Sequence, residues 1–320
     1  MTRGAPVLIG VGSGGSRILA RLAHAPAGLA AGMAAGPPST EVLLIEAATG
    51  ERDRLVAAIE RASAAVLVCD LGARDSSGIL ALCQALPEAR AAAVLVLPFS
   101  FERPAAFRLA EETLAELAPR MALTAVASRD EALAVAPSGS SLDEAYRIVD
   151  GIAAAGAEAL AFALASDTGT TEPPSSLRNG VTALGAASST GDDPIEAMRL
   201  AARSILLAPK VLAASRSAFA AAVARRPITL SEARATEEIM REALAPGAEI
   251  ELRPREERSL GPRVLAAVCV EIPAELGRDC EFPSEDPATL EIPAFIRRRA
   301  ARERAACRMF LGGTSWRKTG

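Results

Sequence analysis

A succession of short apolar runs, each followed by an amphipathic stretch, constrains the fold of this chain more than any other feature. Residues 6–10, 42–45, 65–69, 92–97 and 123–126 are rich in Val, Leu, Ile and Ala and have the length of buried strands. Between them, residues 17–23, 51–62, 78–86 and 104–117 space their apolar side chains at three and four, as helices do. Such alternation predicts an α/β fold: a parallel sheet with helices on both faces. Ser140-Ser-Leu-Asp143 then opens a long helical pattern that runs to about Ala165, with Ser140 or Ser141 as N-cap and acids in the first turn. Residues 166–177, rich in Thr, Ser and Pro, read as a break. Helical stretches are expected over 178–187 and 194–206, then a second α/β pattern. It comprises a strand at 219–223, a helix over 230–244 opened by Ser231, and a strand pair at 248–252 and 263–272. Residues 273–289 form a Pro- and acid-rich linker to a final apolar block.

Composition narrows the chemistry. At 320 residues the chain is long enough for two domains, and with 50% hydrophobic but 3% aromatic residues its interior must be filled by Ala, Leu and Val. A net charge of -4 argues against a general nucleic-acid binder, although residues 297–318 are locally basic. The five cysteines lack CxxC spacing, and His24 is the single histidine, so no metal site, disulfide framework or histidine-based catalysis is indicated. No secretory leader is visible ahead of Gly10, and the apolar helical run at 151–165 is shorter than the ~20 residues a membrane span needs. A cytoplasmic protein is expected.

Four segments carry recognisable chemistry. Ile9-Gly-Val-Gly-Ser-Gly-Gly-Ser16 follows the first strand and precedes a helix. Glycines there let backbone approach a phosphate, while the helix N-terminus supplies N–H donors and a positive dipole. Gly10, Gly12 and Gly15 satisfy G-x-G-x-x-G, a pattern that also serves a tight strand-to-helix turn without ligand. A dinucleotide site would add an acid after the second strand, and Glu46 is available, though late for a compact βαβ unit. Pro98-Phe-Ser-Phe-Glu102 follows the fourth strand, and Ser141-Leu-Asp-Glu-Ala-Tyr146 opens the long helix, with Asp150 one turn on. Finally, Leu290-Glu-Ile-Pro-Ala-Phe-Ile-Arg-Arg-Arg299 puts an apolar block, fixed by Pro293, ahead of a basic cluster. A block of that kind suits docking in a partner's groove.

These segments, in this order, resemble FtsZ, the bacterial tubulin homologue of cell division. Its first phosphate loop reads G-V-G-G-x-G-S/G-N, matched here by Gly10, Val11, Gly12, Gly14, Gly15 and Ser16, with Ser13 replacing a glycine and Arg17 an asparagine. Its P-F-x-F-E segment, whose glutamate contacts ribose, matches Pro98 to Glu102. Its central helix opens with S-L-L-D-A-F, whose aromatic stacks on guanine; Tyr146 and Asp150 stand at the base-contacting positions. Its C-terminal peptide, D/E-I-P-A-F-L/I-R-R/K, recruits the membrane adaptor FtsA and matches residues 290–299. The resemblance implies a two-domain FtsZ/tubulin-type fold. A nucleotide-binding-type domain would cover 1–166, with the central helix starting at about Leu142; connecting helices 167–210; a smaller C-terminal α/β domain 211–272. The linker at 273–289, the adaptor peptide at 290–299 and a basic tail at 300–320 follow. Implied nucleotide-binding residues are Gly10, Gly12, Ser13, Gly14, Gly15, Gly72, Gly78, Glu102, Tyr146 and Asp150; implied adaptor-binding residues are Leu290, Ile292, Pro293, Phe295, Arg297 and Arg298.

Departures from the family pattern fall on its phosphate chemistry. The tubulin signature loop G-G-G-T-G-T-G corresponds to Asp70-Leu-Gly-Ala-Arg-Asp-Ser-Ser-Gly78, where two glycines remain and Asp70 and Asp75 add negative charge. A carboxylate ~4 Å from a phosphate costs on the order of 1 to 4 kcal/mol, depending on exposure. A phosphate-contacting loop of the family is missing between Glu46 and Arg52. The loop that places water-polarising aspartates over a neighbouring subunit's nucleotide corresponds to residues 171–177, with Pro173 and Ser176 at the two Asp positions. Glu172 could replace them only through a one-residue shift. The expectation is therefore an FtsZ-like pseudo-GTPase, binding GTP or GDP weakly, without a metal site of its own. It would act at FtsZ-like filaments or on itself, reach an FtsA-type adaptor through 290–299 and the membrane only indirectly, and sit in the cytoplasm at the division site. An active GTPase with reorganised phosphate loops, or a Rossmann-type NAD-binding protein using Gly10, Gly12, Gly15 and Glu46, are the alternatives.

Overall fold

Strands whose residues are all buried need both faces of their sheet covered, and that condition organises the whole molecule. The computed structural model describes residues 4–23, 40–45, 51–73, 79, 82, 91–99, 101–102, 104–135, 141–165, 177 and 180–273. Within these, nine strands form one sheet: β1 (Val7–Val11), β2 (Glu41–Ile45), β3 (Ala65–Asp70), β4 (Ala91–Leu97), β5 (Leu123–Ser128), β6 (Val181–Thr190), β7 (Ser217–Ala224), β8 (Glu249–Glu256) and β9 (Arg263–Glu271). Their order is β2-β1-β3-β4-β5-β6-β9-β7-β8. Pairing is parallel from β2 through β6; β9 runs antiparallel between β6 and β7, and β8 lies parallel to β7 at the edge.

The helices whose full ranges fall within the described residues are α1 (Gly12–Ala23), α2 (Arg52–Arg61), α3 (Pro104–Leu117), α4 (Arg129–Val135), α5 (Leu142–Leu164), α6 (Pro194–Ala202), α7 (Pro209–Ala214) and α8 (Leu230–Ala243). Alternate residues of the buried strands enter two separate cores. Ile9, Leu67, Cys69 and Leu95 pack with Leu55 and Ile59 of α2, Leu117 of α3, Met198 of α6 and Met240 of α8. Leu8, Val66, Val68 and Val94 pack with Ile18 and Leu19 of α1 and with the length of α5.

The central helix α5 begins where the sequence places it. Ser141 Oγ accepts from the Glu144 N–H at 3.2 Å, and Asp143 and Glu144 stand at the positive end of the dipole. Beyond Val149 nine of its fifteen residues are Ala or Gly, which lets it lie close on the sheet. An added Cβ at Gly156 would come within 3.0–3.2 Å of Leu184 and Ala186 on β6. Among the described residues no helix is long and apolar enough to cross a membrane.

Four expectations are corrected here. Residues 178–187 are not helical: Val181–Thr190 is β6, held by nine paired positions with β9 and three with β5. Its Ala-Leu-Gly-Ala-Ala centre does not discriminate helix from strand, and tertiary pairing decides. Gly185 is needed there, because a Cβ would sit 2.3 Å from Leu207 Cδ1 and 2.5 Å from the Ala201 carbonyl oxygen. The helix expected over 194–206 stops at Ala202, and a separate α7 follows. Residues 248–252 and 263–272 are strands but not partners, since β7 lies between β8 and β9. Helix α8 is capped by Thr229 rather than opened by Ser231, through a capping box with Glu232: the Thr229 N–H donates to Glu232 Oε2 at 2.8 Å. The helix expected over 78–86 lies outside the described residues except for Ile79 and Leu82, both buried and helical.

One buried ion pair ties α5 to β9. Arg263 donates to Glu158 Oε1 at 2.6 Å, while Glu158 Oε2 is buried without a hydrogen-bond partner. Burial pushes the Glu158 carboxyl above its ordinary value, and the charge and hydrogen bond of Arg263 offset this only in part. Removing the cation leaves a buried carboxylate uncompensated. Arg263→Met should therefore cost about 3–5 kcal/mol at pH 7. A raised folded-state pKa means that stability is intact below the unfolded glutamate value and lost as pH rises through the folded one. Urea unfolding at pH 7 and pH 5 should thus show a smaller deficit at pH 5.

Candidate functional site

In an open parallel sheet, ligands bind beyond the C-terminal ends of the strands, where strand order reverses. Here the reversal falls between β1 and β3, because β2 lies on one side of β1 and β3 on the other. The Gly-rich turn after β1, Asp70 at the end of β3, Phe99 to Glu102 after β4, and Arg129 just after β5 all stand at this end of the sheet. The first three turns of α5 bring Tyr146 and Asp150 to the same place.

The turn itself is tight. Gly12 has φ 72°, a left-handed backbone that favours glycine. A Cβ on Gly15 would lie 2.2 Å from the Val68 carbonyl oxygen, and one on Gly14 would lie 2.3 Å from Asp70 Cβ and 3.0 Å from Asp70 Oδ2. Gly10 packs on Gly15. Ser13 faces outward and is exposed. The glycines thus bring α1 against β3, and the carboxylate seated on the first turn of α1 belongs to Asp70.

Two arginines and two aspartates interlock there. Arg17 donates through Nε to Asp150 Oδ2 at 2.8 Å, and its terminal Nη2 reaches Asp150 Oδ1 at 3.3 Å and Asp70 Oδ2 at 2.8 Å. Arg129 donates to Asp70 Oδ2 at 2.6 Å and lies 3.9 Å from Asp150. Asp70 Oδ1 accepts from the Gly72 N–H at 2.9 Å. Asp70, Arg129 and Asp150 are 2%, 1% and 0% exposed, whereas the Arg17 side chain is 41% exposed and closes the cluster from outside. Burial alone would raise the Asp70 carboxyl; the charge and hydrogen bond of Arg129, then Arg17 and the Gly72 N–H, outweigh it and hold the group below its ordinary value.

The aromatic segment packs around this quartet. Tyr146 OH donates to Glu102 Oε1 at 3.0 Å, and the same oxygen accepts from the Phe99 N–H at 3.2 Å. Burial first, then the Glu102 hydrogen bond and charge, raise the Tyr146 hydroxyl above its usual value. The guanidinium carbons of Arg129 and Arg17 lie 4.5 and 5.4 Å from the Tyr146 ring centroid, and Phe99 meets the ring edge-on at 5.2 Å. Phe101 stacks on Phe99 at 4.9 Å and is 62% exposed. Gly72 lies among these groups: a Cβ there would be about 3.0–3.2 Å from Arg129, Pro98 and Glu102. Beside the cluster opens a cleft of ≈ 570 Å³ lined by Arg17, Arg21, Asp143, Tyr146 and Arg147.

The structure therefore brings together Gly10, Gly12, Ser13, Gly14, Gly15, Gly72, Glu102, Tyr146 and Asp150. Gly78, Glu46, Glu172, Pro173, Ser176 and all six adaptor-peptide residues, Leu290 to Arg298, lie outside the described residues. Arg129, the fully buried cation of the site, has no counterpart among the residues the sequence singles out. A lone Arg at a strand end carries no pattern, and only its three-dimensional approach to Asp70 reveals it. Among the described residues no three or more His, Cys, Asp or Glu side chains group as a metal site.

No protein-family model matches the chain, and no curated protein matches its sequence. Solved structures do match. A point mutant of FtsZ from M. jannaschii superposes with a TM-score of 0.59 at 17% identity, covering 84% of this chain and 91% of that one. CetZ1 from Haloferax volcanii, a GDP-bound monomer, gives 0.59 at 12% identity over 94% and 100%. CetZ2 from the same organism, in a GTPgS-bound protofilament, gives 0.52 at 18% identity over 94% and 100%. The fold is that of FtsZ and CetZ. The identities are low throughout, so this chain is a divergent version of that fold.

The quartet makes a definite demand on stability. Replacing Arg129 leaves two buried carboxylates with Arg17 alone, so Arg129→Leu should lose on the order of 3 kcal/mol at pH 7. Because the folded-state pKa of Asp70 is depressed, its contribution is present above the ordinary aspartate pKa of 3.8 and lost as pH falls through the folded value. Acid-unfolding curves should accordingly fall less steeply below about pH 4 in Arg129→Leu than in the native chain.

Proposed function

We propose that this chain is an FtsZ-like cytoskeletal protein that has given up GTP hydrolysis and works by joining, capping or modulating filaments, its own or those of an FtsZ. The observation that carries the proposal is the Asp70 carboxylate on the first turn of α1, gripped by Arg17 and Arg129. An FtsZ-type nucleotide would need that turn for its phosphates and would have to displace a neutralised, buried anion to obtain it. The base end is committed in the same way, since both oxygens of Asp150 face Arg17 and Glu102 accepts from Tyr146. The sequence adds Pro173 and Ser176 at the positions of the water-polarising aspartates. GTP or GDP binding is then weak, and the activity lies in assembly. The GTPgS-bound protofilament of CetZ2 supports self-association as the mode of action. The peptide at 290–299 would recruit an FtsA-type adaptor and so bring a cytoplasmic protein to the division site.

Two measurements test this. The purified chain should show negligible GTP turnover and no low-micromolar binding of a fluorescent GTP analogue. Phosphate release at the rate of ordinary FtsZ enzymes, lost on Glu172→Ala, would instead establish an active GTPase with reorganised loops. For the tail, Phe295→Ala should nearly abolish adaptor binding at any salt, because apolar anchors carry most of a small interface. Neutralising Arg297 and Arg298 should weaken binding mainly at low ionic strength, since exposed charges are screened within ~8 Å in physiological salt. Adaptor binding unchanged on deletion of residues 290–299 would remove the tail from the proposal.

A further inference from the structure

We infer that Asp70 is a tethered substitute for a free oxyanion: Arg17, Arg129 and the first turn of α1 form a phosphate-type anion seat that the chain fills with its own carboxylate. The inference deepens the pseudo-GTPase reading and rests on it for its biological sense, but its physical content is separate. Three donors converge on the Asp70 carboxylate: Arg17 at 2.8 Å, Arg129 at 2.6 Å and the Gly72 N–H at 2.9 Å. It lies directly against Gly14, where any side chain would collide with it, so the turn is bare on the side that faces the anion. A positive helix end, two guanidiniums and a side-chain-free turn are the components of an oxyanion site.

The seat also has donor capacity that the carboxylate does not use. Arg129 is 1% exposed, yet its Nε–H is buried without an acceptor. An ion pair evolved only for packing is expected to satisfy its buried donors, since an unmade bond there costs about 1–3 kcal/mol in general. A carboxylate attached to β3 has two oxygens and no freedom to turn toward that N–H. A tetrahedral oxyanion has more acceptors and no tether. Arg17, being partly exposed, leaves a path to solvent along the cleft beside Tyr146. Truncating Asp70 would leave two guanidiniums facing Asp150 alone, a net positive pocket.

The test is rescue of the truncated chain by free anions. Thermal unfolding of the full-length chain and of Asp70→Ala is followed at constant ionic strength while chloride is replaced by phosphate, sulfate or pyrophosphate. Asp70→Ala should be less stable than the native chain and should recover, with a saturable rise in Tm of about 5 °C at an anion concentration well above Kd. The native chain, its seat filled, should shift by less than a third of that. Asp70→Ala with Arg129→Leu should lose the rise. Equal rises with pyrophosphate and GDP assign binding to the oxyanion; a rise with GDP and none with pyrophosphate overturns the proposal in favour of nucleoside recognition. It is likewise overturned if folded Asp70→Ala shows no rise, or a rise equal to the native chain's. Should Asp70→Ala fail to fold in chloride, recovery of native circular dichroism on refolding in phosphate supports the seat, and no recovery overturns it. Tight GTP binding by the native chain would sink the pseudo-GTPase reading instead, leaving the comparison between native and truncated chains to decide the seat.

Discussion

The electrostatic neutrality of four buried or half-buried side chains holds together the end of the sheet where four elements meet. Arg17 comes from α1, Asp70 from β3, Arg129 from the junction of β5 and α4, and Asp150 from α5. The three buried charges, Asp70, Arg129 and Asp150, would not be tolerable alone at such depth, since a single unpaired ion there costs several kcal/mol. Each arginine touches Asp70 and stands within ion-pair distance of Asp150, so loss of one member leaves an imbalance that the others cannot correct. The seat of the α1 helix on β3, the first turns of α5 and the aromatic layer of Phe99 and Tyr146 are all fixed relative to this cluster.

A second charge pair stands farther along the same helix. Asp150 engages the site from the third turn of α5, and Glu158 engages Arg263 of β9 two turns later. Between and beyond them, Ala153, Ala154, Ala157, Ala159 and Ala161 lie flush on the sheet. The helix is thus pinned at one end to the site and in its middle to the antiparallel part of the sheet. Sliding α5 along its axis would break one buried ion pair or the other. The position of α5 on the sheet is therefore set by specific charges as well as by packing.

Much of this was legible in the sequence, for identifiable reasons. The four parallel strands that carry the site, β1, β3, β4 and β5, are buried on both faces, so they appear as runs dominated by Val, Leu, Ile and Ala. The Gly turn, Glu102, Tyr146 and Asp150 were recognisable because each lies in a motif of fixed order, and the structure gathers them at one place. Strand β6 was not legible: its small residues satisfy either period, and only its pairing with β5 and β9 makes it extended. Arg129 was invisible because its partners are 59 and 21 residues away in sequence with no local pattern to mark it. In α8 the sequence offered Ser231, but Thr229 with Glu232 at the third position forms the cap, a spacing rule that outranks mere presence of a hydroxyl.

The Gly-rich turn shows why such a motif does not by itself specify a ligand. Glycines at 14 and 15 are demanded here by the approach of α1 to β3, since a Cβ at either would strike Val68 or Asp70. The same bare turn that lets a phosphate approach lets a neighbouring strand end approach. What separates the two uses is the residue that terminates β3. With a small uncharged residue there, the dipole of α1 and the two guanidiniums would face an open space and attract an anion from solvent. With Asp70 there, the charge is supplied from inside at no cost in translational entropy, because the carboxylate is already part of the chain. A free phosphate must outcompete a group whose effective concentration is set by a covalent tether and that is bound by three donors. Under the proposed function, one aspartate at the end of one strand would be sufficient to turn a nucleotide-type turn into a structural joint.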